Sequence, residues 1–208
     1  MTHDHQDDGL LLILCGPSGV GKTTIARRLL RERQRATFSV SYTTRHPRDG
    51  ETDGEAYHFV DVETFEEMRT SGRFAESAKV HGNYYGTSVE AILGAWSRGY
   101  DPVFDIDYQG AEQLKVTFPH AVAVLIIPPN MGELERRLRD RGTDSDEVIE
   151  GRLAEARSEL SHWRMYDYVV ENDDLDETFG AILDIYDASQ HSTHLRANQM
   201  QDMLGENS

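Results

Sequence analysis

The sequence predicts an α/β fold: a central parallel sheet flanked by helices, with an inserted and mostly antiparallel lobe. Three observations carry that prediction. Short, continuously apolar runs alternate with helical patterns over most of the 208 residues. A glycine-rich segment joins the first apolar run to the first helix. Residues 37–98 break the rhythm and alternate in places with period two.

The apolar runs fall at Leu11–Cys15, Val103–Ile106, Ala121–Ile127 and Tyr168–Val170. Strands this uniformly apolar are buried on both faces, which requires helices above and below the sheet. Helical patterns supply them near Thr23–Glu32, Gln109–Phe118, Met131–Arg141, Ser145–Trp163 and Asp176–Ser189. Within the inserted stretch, Phe38-Ser39-Val40-Ser41-Tyr42 and part of Glu55–Phe59 alternate, and His81–Gly86 reads as a turn between short strands. The chain therefore divides into a core (10–36, 99–130 and 164–189), an insertion (37–98) and a helical segment (131–163). Residues 1–9 form an acidic tail read as disordered. From residue 190 the pattern fades into a polar tail that either extends the last helix or is disordered.

Between the first run and the first helix stands Gly16-Pro17-Ser18-Gly19-Val20-Gly21-Lys22-Thr23, followed by Thr24. This is G-x-x-x-x-G-K-T in a strand-to-helix context. Glycines let the backbone curl so that its N–H groups converge on a phosphate, and the helix N-terminus adds positive potential. Lys22 can reach the β- and γ-phosphates, and the Thr23 hydroxyl can ligate Mg²⁺. Parallel sheets bind ligands at the carboxyl ends of their strands, where this segment falls. These residues point to a nucleoside triphosphate.

Composition narrows the partners. A net charge of −16 argues against nonspecific binding to nucleic acid or to an anionic membrane, since both need clustered Lys and Arg. No apolar stretch approaches membrane-spanning length, and the acidic N-terminus is unlike a signal or transit peptide. The single cysteine, Cys15, lies in an apolar run and reads as a small buried hydrophobe. No intrachain disulfide can form, which fits a reducing, cytoplasmic setting. An anionic nucleotide on so acidic a chain requires local concentration of arginine, with the acidic residues placed elsewhere.

The insertion narrows the acceptor. Ser39-Val40-Ser41-Tyr42-Thr43-Thr44-Arg45-His46-Pro47-Arg48-Asp49-Gly50-Glu51 puts two arginines three apart on an irregular segment, and planar guanidinium forks suit phosphate oxygens. Together with Tyr57, Glu76, Gly82–Thr87 and Asp105-Ile106-Asp107-Tyr108-Gln109-Gly110, this stretch resembles guanylate kinase, a family of nucleoside monophosphate kinases on the P-loop scaffold. The resemblance runs from about Leu11 to Tyr186, with the motifs in the family's order and spacing. It implies a P-loop kinase fold, ATP as phosphoryl donor with Mg²⁺, and GMP or dGMP as acceptor. It places Arg45, Arg48, Tyr57 and Tyr85 on the GMP phosphate, and Ser41, Glu76, Thr87 and Asp107 at the guanine. A carboxylate at Glu76 can accept from the N1–H and exocyclic amino group of guanine, whereas adenine offers an acceptor at N1. Thr87 has a second reading, because Thr87-Ser88-Val89-Glu90 also fits a capping box for a following helix. Asp105 and Asp107 fall on one face of a strand end, and Asp105 takes a position where acids support Mg²⁺.

In the resembled family the helical segment is a lid. Arg137 and Arg141 lie four apart on one helix face and Arg152 follows on the next, matching arginines that close over the ATP phosphates. Their unliganded alternative is pairing along the helix, Glu133 with Arg137 and Glu135 with Arg139. The resemblance also puts Asn172 near adenine. Three other readings stay open: a non-catalytic guanylate-kinase-like module that binds phosphopeptides, a kinase of a phosphorylated sugar on the same scaffold, and another nucleoside monophosphate kinase, which the guanine-matching acids disfavour. The oligomeric state, monomer or homo-oligomer, is not specified.

Overall fold

The computed structural model describes residues 9–205 apart from Asp49, Ala56, His81, Arg141 and Thr143. The acidic tail through Asp8, His81 of the expected turn, and the lid arginine Arg141 lie outside the described residues.

Five parallel strands form the central sheet: β1 (Leu12–Cys15), β2 (Ala36–Phe38), β7 (Asp101–Asp105), β8 (Val122–Ile127) and β9 (Tyr168–Glu171), in the order β2-β7-β1-β8-β9. Alternate residues of the first strand and its lead-in feed two cores. Leu10, Leu12 and Leu14 pack against helix α1 (Lys22–Glu32) and helix α7 (Leu175–Ser189) through Ile25, Leu29, Phe179 and Ile182. Leu11, Ile13 and Cys15 face the opposite way, against α3 (Val89–Ser97) and α4 (Tyr108–Thr117) through Ile92, Trp96, Ala111 and Leu114. Each fully buried leucine or isoleucine contributes roughly 1.5–3 kcal/mol, so this strand is held by both layers. Cys15 is fully buried, and burial pushes its thiol pKa well up, so it packs as a hydrophobe.

Two boundaries differ from the sequence expectation. Ala36–Phe38 is not the first strand of the insertion; it pairs in parallel with β7, Ala36↔Asp101 to Phe38↔Val103, and completes the core sheet. Three residues are too short for a period to register. The strand at Val103 starts earlier, at Asp101, because Asp101 and Pro102 already pair with Ala36 and Thr37 of β2, before pairing with β1 begins at Leu12↔Val103. Asp101 is fully buried yet satisfied: it accepts from the Tyr186 hydroxyl at 2.6 Å, from Gln190 at 2.8 Å and from Arg35 at 3.1 Å.

The insertion holds a second sheet, with strands β3 (Tyr42–Thr43), β4 (His58–Phe59), β5 (Phe74–Val80) and β6 (Asn83–Ser88) in the order β4-β3-β6-β5. The β5–β6 hairpin and the β3–β6 pair are antiparallel, while β3–β4 is parallel. Helix α2 (Val62–Thr70) was not expected; Asp61 caps it, accepting from the Thr64 N–H at 2.7 Å. Its Phe65 packs on Phe74 and Tyr84. Helices α5 (Met131–Asp140) and α6 (Asp146–Ser161) share a small core of their own, Leu134, Leu138, Ile149, Leu153 and Ala156. Beyond α7 the chain forms a short helix α8 (Ala197–Leu204), so among the described residues the tail is neither an extension of α7 nor without structure. Among the described residues no helix is long and apolar enough to cross a membrane.

Candidate active site

At the carboxyl end of the central sheet, a cleft of about 580 Å³ opens between the glycine-rich loop, the insertion and helix α6. Its floor is set by backbone geometry. Gly16 and Gly21 have φ of 141° and 100°, in the left-handed region that favours glycine. A Cβ at Gly21 would stand 2.7 Å from Nδ2 of Asn172. No side chain caps α1 behind Gly21, so the helix N-terminus is left to an outside anion. Lys22 folds back, its ammonium donating to the carbonyl of Gly16 and, at 3.4 Å, to that of Pro17. The Thr23 hydroxyl donates to Asp105 Oδ2 at 2.6 Å.

The opposite wall belongs to the insertion and to the turn after β7. Glu76 is 6% exposed, and burial pushes its pKa up to about 7 against the opposing effect of a hydrogen bond from Thr87. The Thr87 hydroxyl donates to Glu76 Oε1 at 2.7 Å, and with that proton committed, Ser41 donates to Thr87 across 2.8 Å. Ser41, Thr87 and Glu76 thus form one chain of bonds linking the approach to β3, β6 and β5. Tyr57 and Tyr85 line the same cleft, ring edges together at 5.9 Å between centroids. The Arg45 guanidinium sits 5.5 Å from the Tyr57 ring centre and donates to Glu51 at 2.8 Å. Glu51 also accepts from the backbone N–H of Arg48 at 2.7 Å, so one carboxylate shapes the whole arginine segment. Those two bonds, the Arg45 one first, hold its pKa below the usual carboxylate range.

Helix α6 supplies the third wall. Arg152 reaches the Ser18 hydroxyl at 3.2 Å and Asp144 at 3.4 Å. One face of the same helix turns Arg152, Ala156 and Glu159 into the cleft. Glu159 Oε1 accepts the backbone N–H of Gly16 at 3.1 Å, and burial raises its pKa although Lys22 opposes the shift.

A family model described as guanylate kinase matches residues 9–189. The chain belongs to the guanylate kinase family. It is 49% identical over 196 residues to the guanylate kinase of Nitratidesulfovibrio vulgaris, covering 94% of this chain and 95% of that one. With the Sphingopyxis alaskensis guanylate kinase it shares 52% over 186 residues, 88% of this chain and 83% of the relative. The crystal structure of guanylate kinase from Anaplasma phagocytophilum superposes with a TM-score of 0.71 at 33% identity, covering 95% of each chain.

The guanylate kinase cleft gathers most of the residues read from sequence: Gly16–Gly19, Gly21–Thr24, Ser41, Tyr57, Glu76, Tyr85, Asp105, Asp107 and Arg152 all line it. Others go elsewhere. Asn172 is buried behind the loop, donating to the Val20 carbonyl at 2.6 Å and accepting from Thr178 at 3.0 Å; it braces the loop and is not among the residues that line the cleft. Arg137 bonds Glu133 at 2.7 Å and the Asn172 carbonyl at 2.9 Å, away from the cleft lining. The pairs Glu133–Arg137 and Glu135–Arg139 both form. The cap of α3 is Ser88, which accepts from the Ala91 N–H at 3.1 Å, and not Thr87. That one-residue shift releases Thr87 for Glu76. Asp107 has a task the sequence did not suggest, capping α4 through the Gly110 N–H at 3.0 Å. The expectation that acidic residues lie apart from the cations is overturned: Glu76, Asp105, Asp107, Glu155 and Glu159 line the cleft beside Lys22 and Arg152. Glu51 and Glu159 were missed. For Glu159 a signal existed, its seven-residue spacing from Arg152 on one helix.

Proposed function

We propose that the chain transfers the γ-phosphoryl group of ATP to GMP or dGMP, releasing ADP and GDP. The observation that carries this reading is the facing of two unlike walls across one cleft: a phosphate-binding loop, and a buried carboxylate that accepts from the Thr87 hydroxyl, itself bonded to Ser41. A loop alone serves any nucleoside triphosphate. A buried acceptor with Ser41 and Thr87 behind it asks for a base that presents two N–H donors side by side, as guanine does.

In this reading the loop amides and the α1 N-terminus cradle the donor phosphates, and Lys22 swings from the Gly16 carbonyl onto the β- and γ-oxygens. Thr23 and Asp105 present oxygen donors within hydrogen-bond distance of each other, and hard oxygen ligands suit Mg²⁺. When bound, Mg²⁺ offsets phosphate charge and orients the transferring group. Arg45 leaves Glu51 for the GMP phosphate, joined by Arg48 and the hydroxyls of Tyr57 and Tyr85. Asp107 and the Ser41–Thr87–Glu76 chain hold the guanine. Residues 131–163 act as the lid, with Arg137, Arg141 and Arg152 brought onto the phosphates as it closes, so that water is shut out and transfer outruns hydrolysis. Phosphoryl transfer needs positioning and charge neutralisation more than a general base, and none is assigned.

The intact loop, with Lys22 and Thr23 in place, speaks against a purely phosphopeptide-binding module. Glu76 speaks against a sugar phosphate as acceptor. A coupled assay of ADP release with GMP, dGMP, AMP, UMP and ribose bisphosphate tests the reading. GMP and dGMP are expected to turn over fastest by orders of magnitude; comparable rates with any of the others would defeat it.

A further inference from the structure

Glu159 stands at the phosphate loop and none of the steps above uses it. Its carboxylate comes from α6, 143 residues along the chain, yet it accepts the N–H of Gly16, whose own carbonyl takes the Lys22 ammonium. One residue is therefore gripped at its N–H by an anion and at its C=O by the cation that would bind phosphate. Three of the four other cleft carboxylates have separate tasks: Glu76 belongs to the wall opposite the loop, Asp105 holds Thr23, and Asp107 caps α4, while Glu155 makes no bond to the loop. Glu159 is largely buried and faces the region that donor phosphates would fill, with Lys22, Asp105 and Asp107 as its charged surroundings.

We propose that Glu159 is a counter-charge held at the phosphate loop by its bond to Gly16, and that it weakens the grip on the donor nucleotide and thereby speeds the release of ADP. The inference rests on the reading that this loop holds the ATP phosphates. In the empty cleft the carboxylate compensates Lys22. With nucleotide in place, Lys22 moves to the phosphates and Glu159 is left as a like charge beside them. Helix α6 then brings opposite influences to one loop, attraction from Arg152 at Ser18 and repulsion from Glu159 at Gly16, seven residues apart. A site built only to bind would lack the second. An enzyme that must discharge ADP every turnover gains from it.

The test is calorimetric titration of Mg·ADP, and separately of GMP, into the full chain and three variants. Glu159→Gln keeps an acceptor for the Gly16 N–H and removes the charge, its second oxygen giving way to an amide donor. Its Kd for ADP is expected to fall roughly threefold to tenfold, the scale of one partly screened charge pair, with GMP affinity unmoved. Glu150→Gln makes the same change in net charge on an exposed part of α6 and is expected to leave ADP affinity as it was. Glu159→Asp retains the charge on a shorter arm, stays testable if the glutamine variant does not fold, and is expected to bind ADP like the parent. Unchanged or weaker ADP binding by Glu159→Gln overturns the proposal, as does equal tightening in Glu150→Gln or any tightening in Glu159→Asp. A parent chain that binds no ADP would instead defeat the functional reading on which the proposal rests.

Discussion

The two walls of the cleft are made in different ways. The phosphate wall is a single run of nine residues, Gly16 to Thr24, whose shape is a property of the local backbone: positive φ at Gly16 and Gly21, then a helix start. The wall proposed to hold guanine draws Ser41, Glu76, Thr87 and Asp107 from four separate segments and exists only when β3, β5, β6 and α4 have assembled. The first wall is local, and its chemistry is carried by main-chain N–H groups and one cation. The second is non-local, and its chemistry is a buried carboxylate whose state depends on what surrounds it. Damage to the first should abolish chemistry, whereas damage to the second should change which substrate is used.

The largest effect is expected on the local wall. Lys22→Met removes the charge aimed at the transferring group and should lower kcat by about a hundredfold to a thousandfold, with the far-ultraviolet spectrum unchanged. Near-normal turnover in a folded variant would mean that the loop does not serve transfer. On the non-local wall, Glu76→Gln exchanges one acceptor for a donor. A hydrogen bond to a charged group is worth about 1.5–3 kcal/mol, so kcat/KM for GMP should fall roughly tenfold to a hundredfold. AMP should lose less, and the ratio of the two narrows. An unaltered GMP-to-AMP ratio would remove Glu76 from base recognition.

Asn172 joins the comparison from behind, since it is a non-local residue that supports the local wall. Asn172→Ala strips the Val20 carbonyl and the Thr178 hydroxyl of a buried partner, which should cost about 1–3 kcal/mol in denaturant unfolding. The KM for ATP should rise while that for GMP stays near the parent value; the opposite pattern would place Asn172 elsewhere in function. The smallest effect is in the pH dependence of stability. Glu76 is pushed from 4.5 up to about 7 by burial, so the protonated acid is the form the fold prefers. Stability from that preference is complete below the unfolded value of 4.5 and is lost as pH rises through 7. Glu76→Gln should therefore melt a few degrees above the parent at pH 8 and converge with it below pH 4.5. GMP affinity should show the reverse slope in the parent, strengthening from pH 5 to 8 as the carboxylate ionises, and that component should vanish in the variant. A melting difference that does not change with pH would contradict the burial of a titrating group at this position.

How much was legible beforehand follows the same division. Continuous apolar runs announced β1, β7, β8 and β9, and the loop motif announced the donor site, because each depends on neighbours in the chain. Strand β2 escaped because three residues carry no period, and helix α2 because its apolar positions are few. The reading of Thr87 as a cap failed by one residue: Thr87 has the glutamate three residues on, but Ser88 is an equally good capping hydroxyl, and the pairing of β6 with β5 decides between them. Asn172 and Glu159 share a different history. A polar side chain in a sequence does not reveal whether it will meet a ligand or a main-chain group, and both meet the phosphate loop itself.

Local pattern in the chain was enough for the layered α/β architecture, the phosphate loop, and the identity of the arginines, tyrosines and carboxylates available for a second substrate. These follow from hydrophobic period, from glycines and the residues that follow them, and from side-chain chemistry, all of which survive in one dimension. It took the assembled fold to bury Glu76 and give it Thr87, to turn Asn172 away from the cleft lining, to rest Arg45 on Glu51, and to bring five carboxylates into the cleft with Lys22 and Arg152. Desolvation and hydrogen-bond partnership are properties of a place in space, and the places here are made by segments that lie as much as 143 residues apart in the chain.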